Sequence, residues 1–153
     1  MKIVAFLQNM WVSPNRVAYV SSFNPVSETR ELMIAYALFA GCLTGRRLEQ
    51  VFGEQLCSDI IWQEANPTIA DNPRTYYPPD NKHIAAVLSK HSPDVILCFT
   101  RAGEDAIKGL MPYAVMFFPC IHPAARGKDT LDRLRHTARA LDTYRNNCKD
   151  NHA

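Results

Sequence analysis

The stretch Ile3–Leu7 (IVAFL) is an unbroken apolar run close to the N-terminus. A run in which no polar residue alternates is typical of a strand that is buried on both faces of a parallel sheet. The same signal returns in residues 94–99 and in residues 114–118. The three segments therefore predict three strands of one sheet.

Helical patterns lie between and after these strands, and one further segment is ambiguous. Residues 59–64 fit either a fourth strand or the end of a helix, and the strand is the preferred interpretation. Three helical segments are predicted at residues 28–40, 82–90 and 101–110. The first follows a candidate cap at Ser27 and ends before Gly41, and the second follows Asp80. A fourth helix is predicted after Asp129, where apolar residues recur at helical spacing, namely Leu131, Leu134, Ala138 and Leu141.

Strands that alternate with helices predict βαβ units. The expected fold class is α/β, a three-layer sandwich with a central, mostly parallel four-stranded sheet. We assign residues 1–146 to a single domain and expect the polar residues 147–153 to form a frayed C-terminal tail. Residues 66–79 contain four prolines and predict a long loop, which in a compact domain is more often functional than idle.

The composition limits the class of protein. A chain of 153 residues with 47% apolar content fits one domain with one core. No stretch approaches the roughly 20 apolar residues that a membrane span needs, so we expect a cytoplasmic protein without a membrane partner. We also expect a monomer. The five cysteines form no CxxC pair, and we expect no metal and no cofactor. A net charge of +2 neither requires nor excludes nucleic acid.

Polar residues follow the first and the last predicted strands. Gln8 and Asn9 come directly after the first strand, and His122-Pro123-Ala124-Ala125 comes soon after the last. Ligands of open parallel α/β sheets bind beyond the carboxyl ends of the strands, so we expect both segments at the same edge. The chain has no glycine-rich phosphate loop, which argues against a nucleotide-dependent enzyme.

These two segments resemble the two motifs of the uracil-DNA glycosylase superfamily. The first family motif has the form GQDPY, or GINPG in the mismatch-specific branch, and the second is HPSP or HPAA followed by a wedge residue. Gln8 and Asn9 fall where Gln-Asp or Ile-Asn stands, and the segment from His122 matches the second motif. Leu7 and Met10 replace the glycine and proline of the first motif. The resemblance covers nearly the whole chain in order and implies a uracil-DNA glycosylase-like sandwich.

The resemblance implies roles in cutting an N-glycosidic bond. His122 would donate a hydrogen bond to the carbonyl oxygen of the leaving base. Asn9 would hold the attacking water, and because an amide is not a strong base we expect slow turnover. Gln8 would contribute mainly backbone contacts to the base.

Three further residues lie at chain positions where the family has functional residues, although each also has a simpler interpretation. Phe23 would stack on the flipped base, or it anchors a loop. Trp11 stands at the position whose side chain determines, in the family, whether a substituent on C5 of the pyrimidine fits. The simpler interpretation is an aromatic residue of the core or of the pocket lining. Arg126 stands where the family places the residue that wedges into the duplex, or it is a surface arginine.

Three polar residues are candidates for reading the base. Gln63 or Asn66 would read a uracil- or thymine-like edge, because an amide offers both a donor and an acceptor. Glu64 would instead accept from an exocyclic amine, such as that of cytosine. The sequence does not choose among them, so a modified or mismatched pyrimidine is as open as plain uracil.

The resemblance thus implies a monofunctional DNA glycosylase, a hydrolase that flips a pyrimidine out of duplex or single-stranded DNA and leaves an abasic site. No lysine in the first motif suits Schiff-base chemistry, so we expect no lyase step. Repair of damage and defence against a phage would use the same parts. One alternative is a catalytically weak DNA-binding module that recognises unusual bases. Another is an unrelated doubly wound protein such as a nucleoside deoxyribosyltransferase, which needs a carboxylate nucleophile that the end of the first strand lacks.

Overall fold

The computed structural model describes residues 1–10, 27–39 and 41–151 of the chain. This part contains four strands and six helices, which are numbered here in chain order. They are β1 (Ile3–Leu7), α1 (Ser27–Phe39), α2 (Leu43–Phe52), α3 (Glu54–Asp59), β2 (Ile61–Glu64), α4 (Asn81–His91), β3 (Val95–Cys98), α5 (Glu104–Leu110), β4 (Met116–Pro119) and α6 (Thr130–Asp150).

The four strands form one sheet in the order β2-β1-β3-β4, and every neighbouring pair is parallel. The predicted α/β class with a central four-stranded sheet is therefore confirmed. The ambiguous segment 59–64 contains the strand β2, as preferred, and β2 lies beside β1 with Leu7 paired to Glu64. Both β1 and β3 are buried along their whole length, as their unbroken apolar runs predict.

Helices cover both faces of the sheet, which gives three layers. Alternate residues of β1 point to opposite sides, so Ile3, Ala5 and Leu7 enter one apolar cluster while Val4 and Phe6 enter the other. The first cluster also takes buried residues from α1, α2, α3 and α6. The second takes them from α4 and α5.

The edge strand β4 differs from the prediction in two respects. It begins at Met116 and includes Pro119, whereas the apolar run predicts residues 114–118. Its two end residues are exposed, because the strand has a neighbour on one side only. The apolar run by itself does not distinguish an edge strand from a central one.

Two helices, α2 and α3, have no counterpart in the sequence prediction. The thiol of Cys42 caps α2, accepting from the backbone N–H of Gly45 at 3.3 Å, and cysteine is not among the residues that mark a helix start. Gly45 also allows close packing, since a Cβ atom there would lie 1.7 Å from the carbonyl oxygen of Leu38. Gly53, at φ +82°, separates α2 from α3.

The remaining boundaries follow from local hydrogen bonds. Asp80 caps α4 by accepting from the N–H of His83 at 3.0 Å, as its position predicts. Helix α5 begins at Glu104, later than the predicted residue 101, because Thr100 and Gly103 form a turn before it. Helix α6 continues to Asp150, so residues 147–150, which were expected in a frayed tail, are helical. No helix in the described ranges is long and apolar enough to cross a membrane.

Candidate functional site

A cavity of about 500 Å³ lies between the carboxyl ends of β1 and β2, the segment after β4, and helices α1 and α2. Its polar lining includes Gln8, Asn9, Glu64 and His122, which follow or end three different strands. A volume of this size falls in the range of ligand pockets, which is roughly 300 to 1,000 Å³. The two segments that resemble family motifs therefore face one cavity, at the edge where ligands of parallel sheets bind.

His122 presents a defined nitrogen atom. Its Nδ1 atom accepts a hydrogen bond from the backbone N–H of Ala124 at 3.1 Å. An accepting Nδ1 carries no proton, so the neutral ring carries its proton on Nε2. Burial lowers the pKa of His122 below its ordinary value of 6.5, which keeps the ring neutral at pH 7. His122 is thus set as a neutral hydrogen-bond donor in the cavity lining.

The segment that carries His122, residues 120–127, is called the His122 loop here, and two side chains from neighbouring helices fix it. Arg47 of α2 donates from Nη1 to the carbonyl oxygen of Pro123 at 2.7 Å and to that of Ala125 at 3.5 Å. Thr130 donates from Oγ1 to the carbonyl oxygen of Ala125 at 3.0 Å. The sequence analysis did not select Arg47, because the adjacent pair Arg46-Arg47 fits an ordinary solvated helix face.

Asn9 lies in the cavity lining, but its amide is bonded to the protein. Its Oδ1 atom accepts from the N–H of Tyr77 at 3.0 Å, and its Nδ2 atom donates to the carbonyl oxygen of Thr75 at 3.1 Å. Both partners belong to residues 66–79, the proline-rich loop. Oδ1 has one further lone pair with which it could accept from a water. The side chain expected to hold the attacking water therefore also fixes a loop.

Gln8 is fixed in a similar way. Its Nε2 atom donates to the carbonyl oxygen of Tyr77 at 2.7 Å, and its Oε1 atom accepts from the hydroxyl of Thr100. Its backbone carbonyl accepts from the N–H of Asn66 at 3.0 Å. The segment after β1 is thus bonded both to the proline-rich loop and to the end of β3.

The structure separates the three candidates for reading the base. Glu64 lines the cavity and is only 1% exposed. Gln63 is not among the lining residues, and its Nε2 atom donates to Glu31 of α1 at 2.8 Å. Asn66 is bonded within the proline-rich loop, donating to the carbonyl oxygen of Pro78 at 2.7 Å and accepting from the N–H of Thr68 at 2.9 Å. Among these three, Glu64 is the residue that meets the cavity.

The other expected site residues are only partly described. Arg126 is exposed on the His122 loop, a position that suits contact with a macromolecule and equally an ordinary surface arginine. Trp11 and Phe23 lie outside the described residues. Tyr76, which the sequence analysis did not select, lies in the lining of the cavity with 71% of its surface exposed. An exposed tyrosine in a proline-rich loop carries no sequence signal that separates it from other loop residues.

The described residues offer little support for a nucleophilic cysteine or for a metal site. Burial raises the pKa of Cys57 to about 12 and that of Cys98 to about 11, so both thiols are protonated and poor nucleophiles at pH 7. All five cysteines are free thiols. Within residues 1–10, 27–39 and 41–151, no group of three or more His, Cys, Asp or Glu side chains could hold a metal ion.

Comparisons of the sequence with protein families and with curated proteins were made for this chain. A scan against protein-family models finds no match to the chain, and a search of curated proteins finds no significant match. Any assignment of function therefore depends on the cavity and its residues.

Proposed function

We propose that the chain is a monofunctional DNA glycosylase, which flips a pyrimidine out of DNA and hydrolyses its N-glycosidic bond. The observation that supports this most strongly is His122, which lines the cavity and whose Nδ1 atom accepts from Ala124, so that the neutral ring carries its proton on Nε2. A neutral donor suits an oxygen atom that gains negative charge as the base leaves.

Hydrolysis of the N-glycosidic bond would give separate roles to His122 and Asn9. The bond between the sugar C1′ and N1 of the base breaks, and its electron pair goes to the base. His122 donates to the base O2 atom, where part of that charge accumulates. A water bonds to C1′, held by the remaining lone pair of Asn9, and the proton that it releases neutralises the base. The products are an abasic site and a free base.

The lining of the cavity favours hydrolysis over a lyase step. Its described residues include no lysine, which is the usual amine for a Schiff base with the opened sugar. Because Asn9 cannot remove a proton as a carboxylate does, we expect slow turnover that depends on stabilising the leaving base and on positioning.

The proposal is tested with single-stranded and duplex oligonucleotides that contain uracil, a mismatched thymine, or 5-modified cytosine or uracil. After incubation with the protein and heating in alkali, strand breaks at one base type support a glycosylase. Binding without breaks supports the alternative of a DNA-binding module. Neither binding nor breaks would overturn both.

The matched variants are His122→Ala and His136→Ala, since His136 is exposed on α6 away from the cavity lining. We expect His122→Ala to slow cleavage by about 30- to 1,000-fold, which corresponds to about 2 to 4 kcal/mol of barrier. The His136 variant should retain the wild-type rate. A fully active His122 variant would remove this residue from the mechanism.

Glu64 supports a second candidate function, because a carboxylate in the cavity could act as a nucleophile. In a nucleoside deoxyribosyltransferase, Glu64 would bond to C1′ of a deoxynucleoside as the bond from C1′ to the first base breaks, and that base would leave with the electron pair and take up a proton. The ring nitrogen of a second base would then displace Glu64 from C1′ and release its own proton. Incubating the protein with a deoxynucleoside and a different free base, followed by chromatography, tests this. Formation of the exchanged nucleoside would favour the transferase over the glycosylase.

A further inference from the structure

We propose that Glu64 makes the cavity selective for a pyrimidine that carries an exocyclic amine, namely cytosine or a 5-substituted cytosine, over uracil. This inference rests on the proposed function and names the substrate class of the same site.

The position of Glu64 in the sheet directs its side chain to the cavity. Glu64 is the last residue of β2, and it pairs in register with Leu7 at the end of β1. Side chains alternate along a strand, so Glu64 lies on the same face as Trp62, which is buried in the cluster that includes α1 and α2. Glu64 therefore continues a buried apolar row to the point where the cavity begins.

A buried carboxylate discriminates between the two kinds of base. When ionised it only accepts hydrogen bonds, and when protonated it donates one and still accepts. Uracil presents the acceptor O4 at the position where cytosine presents an amine. An ionised Glu64 would repel O4 but accept from the amine of cytosine. A protonated Glu64 could bond to the edge of either base, so the selectivity belongs to the ionised carboxylate.

The surroundings of Glu64 make this discrimination strong. The cavity lining next to these polar groups includes Leu7, Ile34 and Leu38, which offer no alternative hydrogen bond from their side chains. A polar group of the wrong base that faces these apolar side chains would lose its water on entry without gaining a hydrogen bond from them, which is costly.

His122 further restricts which bases with an exocyclic amine fit the cavity. Its Nε2–H needs a carbonyl oxygen on the base, and the O2 atom of a pyrimidine is attached to the carbon beside the glycosidic nitrogen. Adenine has an amine but no carbonyl. Guanine has both, but its carbonyl lies on the ring that does not contain the glycosidic nitrogen. A cytosine-type base satisfies the acceptor Glu64 and the donor His122 together.

The test compares oligonucleotides that carry cytosine, 5-methylcytosine, 5-hydroxymethylcytosine, uracil or 5-hydroxymethyluracil at one position. Cleavage is measured for the wild type, for Glu64→Gln, and for Glu54→Gln as the control, because Glu54 is exposed on α3. We expect the wild type to prefer the cytosine series by about 10- to 100-fold, because uracil would lose the one hydrogen bond to the charged carboxylate. Glu64→Gln should move the preference towards uracil by a similar factor, and Glu54→Gln should leave it unchanged.

Binding separates a wrong substrate class from a wrong function. Duplexes with 2′-fluoroarabino cytidine or 2′-fluoroarabino uridine at the target position resist cleavage, and their dissociation constants report recognition alone. Preference for the cytidine duplex without cleavage of any base would overturn the glycosylase and retain the recognition by Glu64. Cleavage or binding that favours uracil in the wild type, or a preference that Glu64→Gln does not move, would overturn the inference about Glu64 and leave the glycosylase standing.

Discussion

The segment after β1 and the His122 loop face the same cavity, but they use their polar side chains differently. The amides of Gln8 and Asn9 bond on both their nitrogen and oxygen atoms to other parts of the protein. The ring of His122 bonds to the protein through Nδ1, and the residue lines the cavity. Substitutions after β1 should therefore act first on stability, whereas substitution of His122 should act first on binding and catalysis.

The largest change in stability that tests this contrast is expected for Asn9. Asn9→Ala removes the bonds to Thr75 and Tyr77 and leaves a backbone carbonyl and a backbone N–H without their partner. We expect the free energy of unfolding to fall by about 2 to 3 kcal/mol, measured by urea denaturation. His122→Ala serves as the comparison and should cost less than about 1 kcal/mol. If both variants lost the same free energy of unfolding, the proposed difference between the segment after β1 and the His122 loop would be wrong.

The second prediction concerns pH. Protonation of Nδ1 would end its bond to Ala124, so the arrangement requires a neutral His122. Since burial lowers the pKa of His122, we expect cleavage to be independent of its titration at pH 7 and to fall only below pH 6.5, about tenfold for each pH unit under the folded-state pKa. A rate profile against pH measures this. Loss of activity that sets in above pH 7 would contradict it.

The same titration contributes to stability with a defined sign. The folded-state pKa of His122 lies below its ordinary value of 6.5, so the unfolded chain takes up this proton first as the pH falls. The stabilising contribution of the neutral ring is complete above pH 6.5 and is lost as the pH falls from there to the folded-state pKa. Denaturation of His122→Asn across this range should show a weaker pH dependence than the wild type.

The third prediction tests whether the His122 loop is held from α2. Arg47→Met keeps the aliphatic part of the side chain and removes the bonds to Pro123 and Ala125. We expect cleavage to slow by about five- to tenfold, because a hydrogen bond from a charged donor contributes roughly 1.5 to 3 kcal/mol and part of this is felt in the loop position. The matched control is Arg46→Met, since Arg46 is exposed beside it and should tolerate the change.

The activity of Arg47→Met also distinguishes positioning from a general loss of stability. A displaced His122 loop should change the apparent pKa in the rate profile, because the burial of the ring changes with it. An unchanged profile together with lower stability would make Arg47 a purely structural residue.

The smallest expected effect concerns Arg126. If this exposed arginine fills the gap left by a flipped base, Arg126→Ala should slow cleavage of duplex DNA several-fold more than cleavage of a single strand. Arg139→Ala removes the same charge from an exposed position on α6 and controls for net charge. Equal effects on both substrates would end the wedge interpretation.

The sequence predicts the framework of the fold because the signals that form it are local. The run Ile3–Leu7 is a strand with the same limits in the structure, and Asp80 caps α4 as its position indicates. Helices α2 and α3 escape prediction because a cysteine thiol caps the first and a glycine separates the two. Local patterns do not record such features.

The candidate site is predictable only in outline. The rule that ligands bind beyond the carboxyl ends of parallel strands brings Asn9 and His122 to one edge, as they are found. The bonds of Asn9 join it to backbone atoms more than sixty residues away, whose position no sequence pattern gives. The choice of Glu64 over Gln63 depends on which of the two lies beside Leu7 at the cavity, and this is known only once β1 and β2 are paired.

The close approach of α1 and α2 at Gly45 has a consequence for the size of the cavity. Ile34 and Leu38 of α1 and Thr44 of α2 belong to its lining, and the absence of a methyl group at Gly45 sets how near those helices come. A single added carbon at position 45 would meet the carbonyl oxygen of Leu38, which itself belongs to the lining, and would push the two helices apart. The width of the cavity therefore depends on a backbone contact between the two helices that form part of its wall.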